Sequence, residues 1–272
     1  MNFAAGVTLY NPSNEQISRI IEYSKSFKYV ILFDNTDNLQ NRYVFPSNFV
    51  YFSEGKNMGL PYAFNHIIDF CLNNNIDFLC TLDQDSIYTF DDICNMKSFI
   101  ENKLDVEKVG VIGPFIDYGK NDSKNTNEVV FRKWVITSGA FINVKIIKKE
   151  NIRYDLNYFI DKFEIDLCQQ FISKKYDVIM YYGATLHQRL GELNYKGHSE
   201  HNAIRHYYIF RNRYYFNKKW RSPLMRVIYN FLQTQRHLYR ILKFETGFKE
   251  KKKMLKIARK DHRCGKYGKY DH

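Results

Sequence analysis

The sequence lacks both of the common glycine-rich motifs that bind phosphate groups. Its 13 glycines form neither the G-x-G-x-x-G fingerprint of dinucleotide-binding folds nor the G-x-x-x-x-G-K-[S/T] sequence of a P-loop. These two classes of nucleotide-binding protein are therefore excluded. Any nucleotide would have to be held by carboxylates, amides and a metal ion.

Cysteine is scarce, and long apolar segments are missing. The five cysteines have no C-x-x-C spacing, and four of them lie in apolar patterns, so we expect core thiols in a reducing cytoplasm. No apolar run approaches the ~18 residues that span a bilayer, and no charged segment followed by an apolar core opens the chain. We therefore expect neither a transmembrane helix nor a secretory signal peptide.

Most of the chain also lacks an excess of positive charge. Residues 1–217 hold 24 Lys and Arg against 25 Asp and Glu, whereas residues 218–272 hold 17 against 4. The net charge of +12 thus belongs to the last fifth of the chain, which indicates a partner surface for that segment. The hydrophobic fraction of 44% is ordinary, but the aromatic fraction of 17% is high. Aromatic side chains form core or stack on sugars or bases.

Apolar runs of strand length alternate with segments of helical periodicity. Ser13 and Gln16, between the first two runs, have the spacing of a helix capping box. This alternation predicts an α/β fold with a mostly parallel sheet and helices on both faces. The predicted strands are Phe3–Tyr10, Tyr29–Phe33, Phe49–Phe52, Phe78–Leu82, Val109–Pro114, Trp134–Ile142 and Val178–Tyr181.

Two carboxylates follow the fourth of these runs. Asp83 and Asp85 are one residue apart, so in an extended chain their side chains face the same side. At the carboxyl end of a parallel strand they would lie where open α/β sheets bind ligands. Two close carboxylates attract a cation, and Mg²⁺ or Mn²⁺ prefers oxygen ligands, including substrate phosphates. The alternative is an ordinary turn in which Asp and Ser cap the next helix.

Polar residues also follow two other predicted strands. Tyr10-Asn11 come after the first run and Asp34-Asn35 after the second. The carboxyl ends of parallel strands share one edge, so a single crevice can gather these residues with Asp83. The sequence thus predicts a ligand site at that edge.

Further candidates lie in the second half of the chain. Asp161, Glu164 and Asp166 are three acids at the start of a predicted helix. They either complement the helix dipole or supply a general base at the mouth of the crevice. His187 follows a short apolar run. It is either a structural hydrogen-bonding residue or a ligand of a metal held by Asp85.

Eight segments in order along almost the whole chain resemble the GT-A-fold glycosyltransferases of family 2, most closely the bacterial rhamnosyltransferase-like branch. The chain differs from most relatives in carrying Glu164 where they have Asp. The segments are Val7-Thr8-Leu9-Tyr10-Asn11, residues 30–37, Asn57-Met58-Gly59-Leu60 with Ala63 and Asn65, Leu82-Asp83-Gln84-Asp85-Ser86, Thr137-Ser138-Gly139-Ala140, residues 159–168, His187 with Gly191-Glu192, and residues 205–213.

The resemblance implies inverting transfer of a sugar from a nucleotide-diphosphate donor, and it implies a role for each matched residue. Glu164 would be the base, with Asp161 or Asp166 sharing the task or orienting the loop. Asp83, Asp85 and His187 would hold Mn²⁺ or Mg²⁺. Arg205 and Arg211 would brace the leaving diphosphate, unless they belong to a solvated basic helix. The residues that would bind the nucleotide-sugar are Thr8, Tyr10, Asn11, Asp34, Asn35, Asn57, Asn65, Asp83, Arg205 and Arg211.

The resemblance also implies a division of the chain and a set of partners. Residues 1–217 would form the catalytic domain, with 1–115 as the nucleotide-sugar half and 116–217 as the acceptor half. The donor would be dTDP-rhamnose or a UDP-sugar, and the acceptor a glycan or lipid-linked glycan of bacterial surface polysaccharide. A homodimer is compatible with it.

Residues 218–272 are expected to form a basic helical extension. From Ser222 onward, apolar residues recur at helical spacing among Arg and Lys, as in helices that lie in a membrane interface. We therefore expect a peripheral protein at the inner face of the cell membrane. The alternative is that the apolar stripe packs on the catalytic domain.

Two other classes of function compete with an enzyme. A nucleic-acid-binding protein would explain the basic tail, but the charge is confined to the C-terminus and no helix-turn-helix, zinc-finger or RRM signature occurs. An inactive nucleotide-sugar-binding scaffold would explain the motifs. The intact Asp83, Asp85 and His187 favour catalysis instead, and we expect no nucleic-acid partner.

Overall fold

The computed structural model describes residues 1–38, 43–119, 126–188 and 200–271. Within it the chain forms two compact units. The first comprises Met1–Asp155 and Glu164–Arg189, and the second comprises Leu156–Phe163 and Leu190–His272. Each unit has its own core and is described by itself below.

The first unit alternates strands and helices. Its strands are β1 (Phe3–Leu9), β2 (Tyr29–Asp34), β3 (Phe49–Ser53), β4 (Phe78–Asp83), β5 (Ile87–Tyr88), β6 (Val109–Asp117), β7 (Val129–Phe131), β8 (Ala140–Asn143) and β9 (Asp177–His187). Its helices are α1 (Asn14–Glu22), α2 (Leu60–Asn73), α3 (Phe90–Asn102), α4 (Val144–Glu150) and α5 (Phe163–Ser173), and a 3₁₀ turn covers Tyr23–Lys25.

In the described part of the chain these strands form one nine-stranded sheet. Their order is β3-β2-β1-β4-β8-β6-β9-β5, with β7 paired to β9. The strands β3, β2, β1 and β4 are parallel, and β6 is parallel to β9 along a long ladder. Antiparallel pairs involve β8 and the short β5 and β7. Every residue of β1 is buried, as expected for a strand covered on both faces. The predicted α/β fold with a mostly parallel sheet is confirmed.

Local sequence explains how α1 and α2 are placed. The Ser13 hydroxyl accepts the Gln16 N–H and the Gln16 side chain accepts the Ser13 N–H, so the predicted capping box begins α1. Helix α2 lies directly on β1, where a Cβ at Gly6 would come within 2.6 Å of the Ile67 side chain. Glycine at position 6 therefore permits this close packing.

One predicted strand is wrong in its first part. The apolar run Trp134–Ile142 was expected to be extended throughout, but β8 begins only at Ala140. Gly139 has a φ of +77°, a left-handed conformation that interrupts an extended chain. The segment before it is irregular, and this irregularity brings Ser138 to the site described below.

The second unit is helical. It contains α6 (Ala203–Trp220), α7 (Pro223–Phe244) and α8 (Phe248–Arg263), so the boundary predicted after residue 217 falls inside α6. Aromatic residues of α6 form its core with apolar residues of α7 and α8. The buried members are Tyr207, Tyr208, Phe210, Tyr214, Ile241, Leu255 and Ala258.

Helix α7 exposes most of its apolar side chains. It buries Thr234 and Ile241, whereas Leu224 is 72% exposed and Phe231 is 60% exposed. In the predicted stripe Leu224, Ile228, Phe231 and Leu242 are exposed, whereas Leu238 packs against the core of the second unit. The helix also exposes Met225, Val227, Leu232 and Tyr239, which were not part of that stripe.

The cysteines differ from expectation in one respect. Cys71, Cys80 and Cys168 are buried, and burial raises the pKa of the Cys71 thiol to about 12. Cys94 is exposed, as is Cys264, so three core thiols replace the four that we predicted. Among the described helices, none has both the length and the apolar character required to cross a bilayer.

Candidate active site

The two predicted metal-binding carboxylates lie in a tight turn at the carboxyl edge of the sheet. Strand β4 ends at Asp83, and the Ser86 N–H donates to the Asp83 carbonyl at 3.1 Å. Asp85 is therefore the third residue of a β-turn, and the extended geometry that we predicted for the pair is wrong. Asp83 is half-buried and Asp85 is exposed. The turn presents Asp85 to solvent beside the end of the central strand.

Three polar side chains hold this turn. The Gln84 side chain accepts the Tyr10 N–H at 2.7 Å and donates to the Tyr10 carbonyl at 3.1 Å, which ties the turn to the end of β1. On the other side, the buried hydroxyls of Ser86 and Ser138 are hydrogen-bonded to each other. The Asp83 N–H donates to Ser86 Oγ at 3.2 Å. The turn is thus fixed from both neighbouring strands before any ligand arrives.

The loop after β2 is built around a fully buried carboxylate. Asp34 accepts the Thr36 N–H and the Tyr51 hydroxyl, each at 2.8 Å. Burial, and then the hydrogen bond to Asp34, raise the pKa of Tyr51 above its ordinary value. The Asn11 N–H donates to Thr36 Oγ1 at 2.8 Å, which joins this loop to the loop after β1. The structure therefore brings Asp34 and Asn11 together, as predicted, and uses the Asp34 carboxylate to shape the edge.

The Asn57–Gly59 segment closes the same edge. Asn35 Oδ1 accepts the Met58 N–H at 3.0 Å, and Asn57 Oδ1 accepts the Gly59 N–H at 3.0 Å. Gly59 has a φ of +85° where the chain enters α2, a conformation suited to glycine. The Asn57 N–H donates to Asp37 at 2.8 Å. The side-chain amides of Asn35 and Asn57 therefore both hold the loop in front of α2.

The remaining predicted donor residues of the first unit differ in exposure. Thr8 is buried and is paired in register with both Phe33 and Asp83, in the centre of the edge. Tyr10 is 48% exposed. Asn65 lies within α2, and its amide bonds the Tyr154 backbone in both directions, at 2.8 and 2.9 Å. Asn65 thus anchors the chain segment that precedes α5.

His187 ends β9 and lies beside the metal-binding turn. It is paired with Ile87, two residues after Asp85, and its Nδ1 lies 3.2 Å from Asp117 Oδ2. This contact orients the ring and leaves Nε2 for another partner, as is common for metal-binding histidines. The Gly191-Glu192 part of the predicted motif lies outside the described residues.

The carboxylates of the turn fit a divalent cation whose coordination is completed by substrate and water. Among the residues that the structure describes, no three His, Cys, Asp or Glu side chains form a ready metal cluster. Mg²⁺ is commonly held by one or two carboxylates together with substrate phosphates, so Asp83 and Asp85 suffice for that arrangement. Binding of a metal ion by Asp83, Asp85 and His187 stays a prediction.

Glu164 and Asp166 lie in the first turn of α5 but in different surroundings. Glu164 is half-buried, whereas Asp166 is fully buried and accepts from Gln170 Nε2 at 2.9 Å. Burial raises the pKa of Tyr154 well above its ordinary value, and the charges of Glu164 and Asp83 add to the rise. Both carboxylates therefore lie within electrostatic range of this hydroxyl, and a shared site for the base and the metal-binding turn stays a prediction.

The other three predicted residues belong to the second unit. Asp161, in the left-handed region at a φ of +63°, accepts from Arg205 Nε and Nη2 at 2.6 and 2.7 Å in a bidentate pair. Arg211 is 1% exposed, and its guanidinium donates to the Gly268 carbonyl at 2.7 Å. The same guanidinium lies 5.2 Å from the Tyr207 ring. A contact of Arg205 or Arg211 with a diphosphate stays a prediction.

A cavity of about 570 Å³, which the sequence did not reveal, lies in the first unit. Phe131 is 71% exposed and Trp134 is 44% exposed on its wall. Phe115 stacks on Tyr182 at 5.3 Å, and Arg132 donates to the Tyr182 hydroxyl at 3.1 Å. The remaining lining residues are Gly113, Pro114, Ile116, Tyr118, Lys133, Val135, Ile136 and Met180.

Register places this cavity at the same edge as the metal-binding turn. Phe141 of β8 is paired with both Cys80 of β4 and Ile112 of β6, so the residues after Ile112 reach the level of Asp83. The segment from Trp134 to Ser138 links cavity and turn, and four residues span at most about 14 Å. The only sequence signal was the aromatic excess, which does not distinguish core from binding surface.

Comparison with solved structures identifies the fold. The chain is similar to GalNAc-T7 in complex with UDP, GalNAc and Mn²⁺, with a TM-score of 0.54 and 9% identity over 70% of this chain and 44% of that one. It is similar to S. aureus TarS, with a TM-score of 0.54 and 11% identity over 96% of this chain and 43% of that one. It is also similar to TarS 1–349 in complex with UDP-GlcNAc, with a TM-score of 0.50 and 14% identity over 97% of this chain and 73% of that one.

These likenesses confirm the predicted GT-A fold. The chain spans less than half the length of the first two structures. No protein-family model matches the sequence, and no curated protein matches it. At identities of 9–14%, what the proteins share is the fold.

Proposed function

We propose that the first unit is an inverting, metal-dependent glycosyltransferase that uses a nucleotide-diphosphate sugar. One observation carries the proposal: three strand-end loops and the Asp83–Ser86 turn are joined by hydrogen bonds at one edge of the sheet. Ligands bind at this edge in open α/β sheets. The bound UDP, UDP-GlcNAc and Mn²⁺ in the similar structures support the same chemistry.

The donor lies along the loops after β1, β2 and β4. The nucleoside is held by the loop residues around Asn11, Asp34 and Asn35, and the diphosphate lies at Asp83 and Asp85. Asp83 and Asp85 would hold a divalent cation, which would supply positive charge to offset the negative charge on the departing nucleoside diphosphate. Because Gln84 and Ser86 fix the turn in advance, little ordering is required when the donor binds.

Glu164 removes the proton from the acceptor hydroxyl. It is half-buried in the first turn of α5, whereas the Asp166 carboxylate is buried and bonded to Gln170. Asp161 is paired with Arg205, which makes it a weaker candidate for the same role. A positioned general base contributes about 10²–10⁴-fold in rate.

The acceptor is a glycan bound in the aromatic cavity. Exposed Trp134 and Phe131 offer flat apolar faces to sugar rings, and Arg132 and Lys133 offer donors to hydroxyl or acidic groups. The short segment from Trp134 to Ser138 keeps the cavity within reach of the donor site. The resemblance described above favours rhamnose as the transferred sugar, and surface polysaccharide, free or lipid-linked, as the product.

The second unit binds an anionic membrane surface. Helix α7 exposes apolar residues, including Leu224 and Phe231, in the segment that carries the whole basic excess of the chain. Such helices bind at membrane interfaces, and each basic residue near the surface adds about 1 kcal/mol. This would place the enzyme at the inner face of the cell membrane, alone or as a homodimer.

Turnover of nucleotide-sugars tests the proposed activity and separates it from a scaffold or a nucleic-acid-binding protein. We expect release of nucleoside diphosphate from dTDP-rhamnose or a UDP-sugar only with Mn²⁺ or Mg²⁺. Asp85→Ala should lower this rate by about 10²–10³-fold because the cation loses a ligand.

Asp105→Ala is the matched control, since Asp105 is an exposed carboxylate paired with Lys108 before β6. Its rate should equal that of the wild type, and both proteins should melt at the same temperature. Full turnover in excess chelator, or equal losses in the two variants, would contradict the metal site.

A further inference from the structure

A second cavity, of about 310 Å³, lies within the helical second unit and is lined mainly by basic side chains. Four of its lining residues are Lys or Arg, two are His, and one is Glu. None of the residues assigned to donor or acceptor binding lines it. The lining residues are Lys162, His201, Ile209, Arg213, Gln233, Arg236, His237, Arg240 and Glu245.

A chain of hydrogen bonds with a fixed direction forms one wall of this cavity. Arg213 can only donate, so His237 Nδ1, at 2.7 Å from Arg213 Nη2, accepts. His237 Nε2 then carries the proton and donates to His206 Nδ1 at 3.1 Å, and His206 Nε2 donates to Glu245 at 2.8 Å. Burial and the charge of Arg213 lower the pKa of His237 to about 3, which agrees with a neutral ring. The side chains of this wall are thus held in place by their own hydrogen bonds, without a ligand.

The single acid of the cavity, Glu245, has an ion-pair partner outside the lining. Glu245 accepts from Lys251 Nζ at 2.9 Å, and Lys251 also bonds Glu200 at 3.0 Å. Lys251 is buried and does not line the cavity. One carboxylate against four Lys or Arg side chains leaves the lining with an excess of positive charge.

Arg236 and Arg240 are one turn apart on α7 and face this cavity. Within the described part of the chain, neither forms an ion pair or a side-chain hydrogen bond. Arg213 is bonded through two of its N–H groups, to His237 and to the Gln233 carbonyl, and an arginine has five. Three guanidinium groups at one cavity repel each other unless an anion lies between them.

We propose that this cavity binds a phosphate group. A phosphate offers several oxygens to donors that approach from different directions, and the planar forks of Arg213, Arg236 and Arg240 match such oxygens. The group can be free phosphate or the headgroup phosphate of a lipid. The exposed apolar residues of α7, on the helix that carries Arg236 and Arg240, make a lipid headgroup one of the two sources.

The test compares Arg236→Gln/Arg240→Gln with Lys252→Gln/Lys253→Gln. Both double variants remove two positive charges from exposed positions of the second unit, but Lys252 and Lys253 of α8 lie outside the cavity lining. Inorganic phosphate and pyrophosphate are titrated by calorimetry at fixed ionic strength. In parallel, flotation is measured with phosphatidylglycerol–phosphatidylcholine vesicles and with vesicles of an anionic lipid that lacks phosphate.

The arginine variant should bind phosphate at least about tenfold more weakly than the lysine variant, because it loses charge-assisted hydrogen bonds as well as charge. If the arginine variant loses binding only in calorimetry with inorganic phosphate or pyrophosphate, the phosphate group is that of a free ion. If it loses binding only to vesicles whose lipid contains phosphate, the group is that of a lipid headgroup.

Equal losses in the two double variants would overturn the proposal, since the effect would then come from diffuse charge. Binding in neither arm by the wild type would overturn it as well. Arg236→Lys/Arg240→Lys keeps the charge and removes only the fork geometry. It should show an intermediate loss, and thermal melting should confirm that every variant is folded.

Discussion

The two units collect opposite charges by different structural means. In the first, Asp34, Asp83 and Asp85 come together because the carboxyl ends of parallel strands share an edge. In the second, Arg213, Arg236 and Arg240 come together because two helices pack side by side. Carboxylates repel a phosphate group unless a cation lies between them, whereas guanidinium groups attract an anion directly. The first unit therefore offers side chains that attract a cation, and the second unit offers side chains that attract an anion.

The largest effect in this comparison is expected at Glu164. Glu164→Gln keeps the shape of the side chain but removes the proton acceptor, so turnover should fall about 10²–10⁴-fold. Donor affinity should be unchanged, because Glu164 does not bind the diphosphate in our proposal. Nucleoside-diphosphate release measures the first quantity and calorimetry with the donor and Mn²⁺ measures the second.

Asp166→Asn is the matched control, because Asp166 is buried two residues further along α5. It should lower stability more than turnover per folded molecule. If Asp166→Asn or Asp161→Asn abolishes turnover while Glu164→Gln is mild, the base has been assigned to the wrong carboxylate.

The acidic edge was predictable from sequence to a large extent, and the basic cavity was not. Asp83 and Asp85 directly follow an apolar run, so a local pattern located them. The turn that holds them was the alternative to the extended geometry, although Thr89, not Ser86, caps the next helix. Gln84 and Ser138 lie in segments that carry the resemblance, but their roles were not predicted because their partners, Tyr10 and Ser86, are 74 and 52 residues away. Hydrogen bonds across such distances depend on tertiary packing, which residue spacing does not encode.

Dependence on tertiary packing also explains why the basic cavity of the second unit was not predicted. Helical spacing after Ser222 predicted an amphipathic helix, and α7 occurs there. The path from Arg213 through His237 and His206 to Glu245 joins residues up to 39 positions apart in sequence. It appears only once α6 and α7 are packed. Arg211 was likewise predicted as a ligand-binding residue from its motif, while its burial is a property of the folded unit.

A substitution at Arg211 separates a structural role from a phosphate-binding role. Arg211→Met leaves the half-buried carbonyl of Gly268 and the buried side-chain oxygen of Asn212 without their donor. The free energy of unfolding should therefore fall by about 3 kcal/mol. Denaturant titration followed by circular dichroism measures the change. Arg259→Met is the control, because Arg259 is exposed and donates only to the Tyr214 hydroxyl, so we expect a loss below about 1 kcal/mol. Unchanged stability with weaker binding of nucleoside diphosphate would instead assign Arg211 to the donor.

The aromatic cavity is expected to affect the acceptor alone. Trp134→Ala removes one flat face, so the KM for a rhamno-oligosaccharide acceptor should rise about tenfold, which matches the strength of an aromatic contact. Hydrolysis of the donor in the absence of acceptor should not change. Trp220→Ala, at the only other tryptophan of the chain, is the control. An equal rise in both variants, or a changed donor KM, would argue against an acceptor site in this cavity.

The smallest effect concerns the contact of the second unit with a membrane. Truncation after residue 217 would cut α6, which ends at Trp220, so a single exposed charge is the better change. Wild-type protein should sediment with vesicles that contain anionic lipid, and high salt should release it, because the attraction is screened. Lys243→Gln on α7 should weaken this binding about fivefold, since one basic residue near an anionic surface contributes about 1 kcal/mol. Lys103→Gln, an exposed lysine of the first unit, should leave it unchanged. If the protein sediments equally with neutral and anionic vesicles, or with neither, the basic excess of α7 and α8 has a different partner.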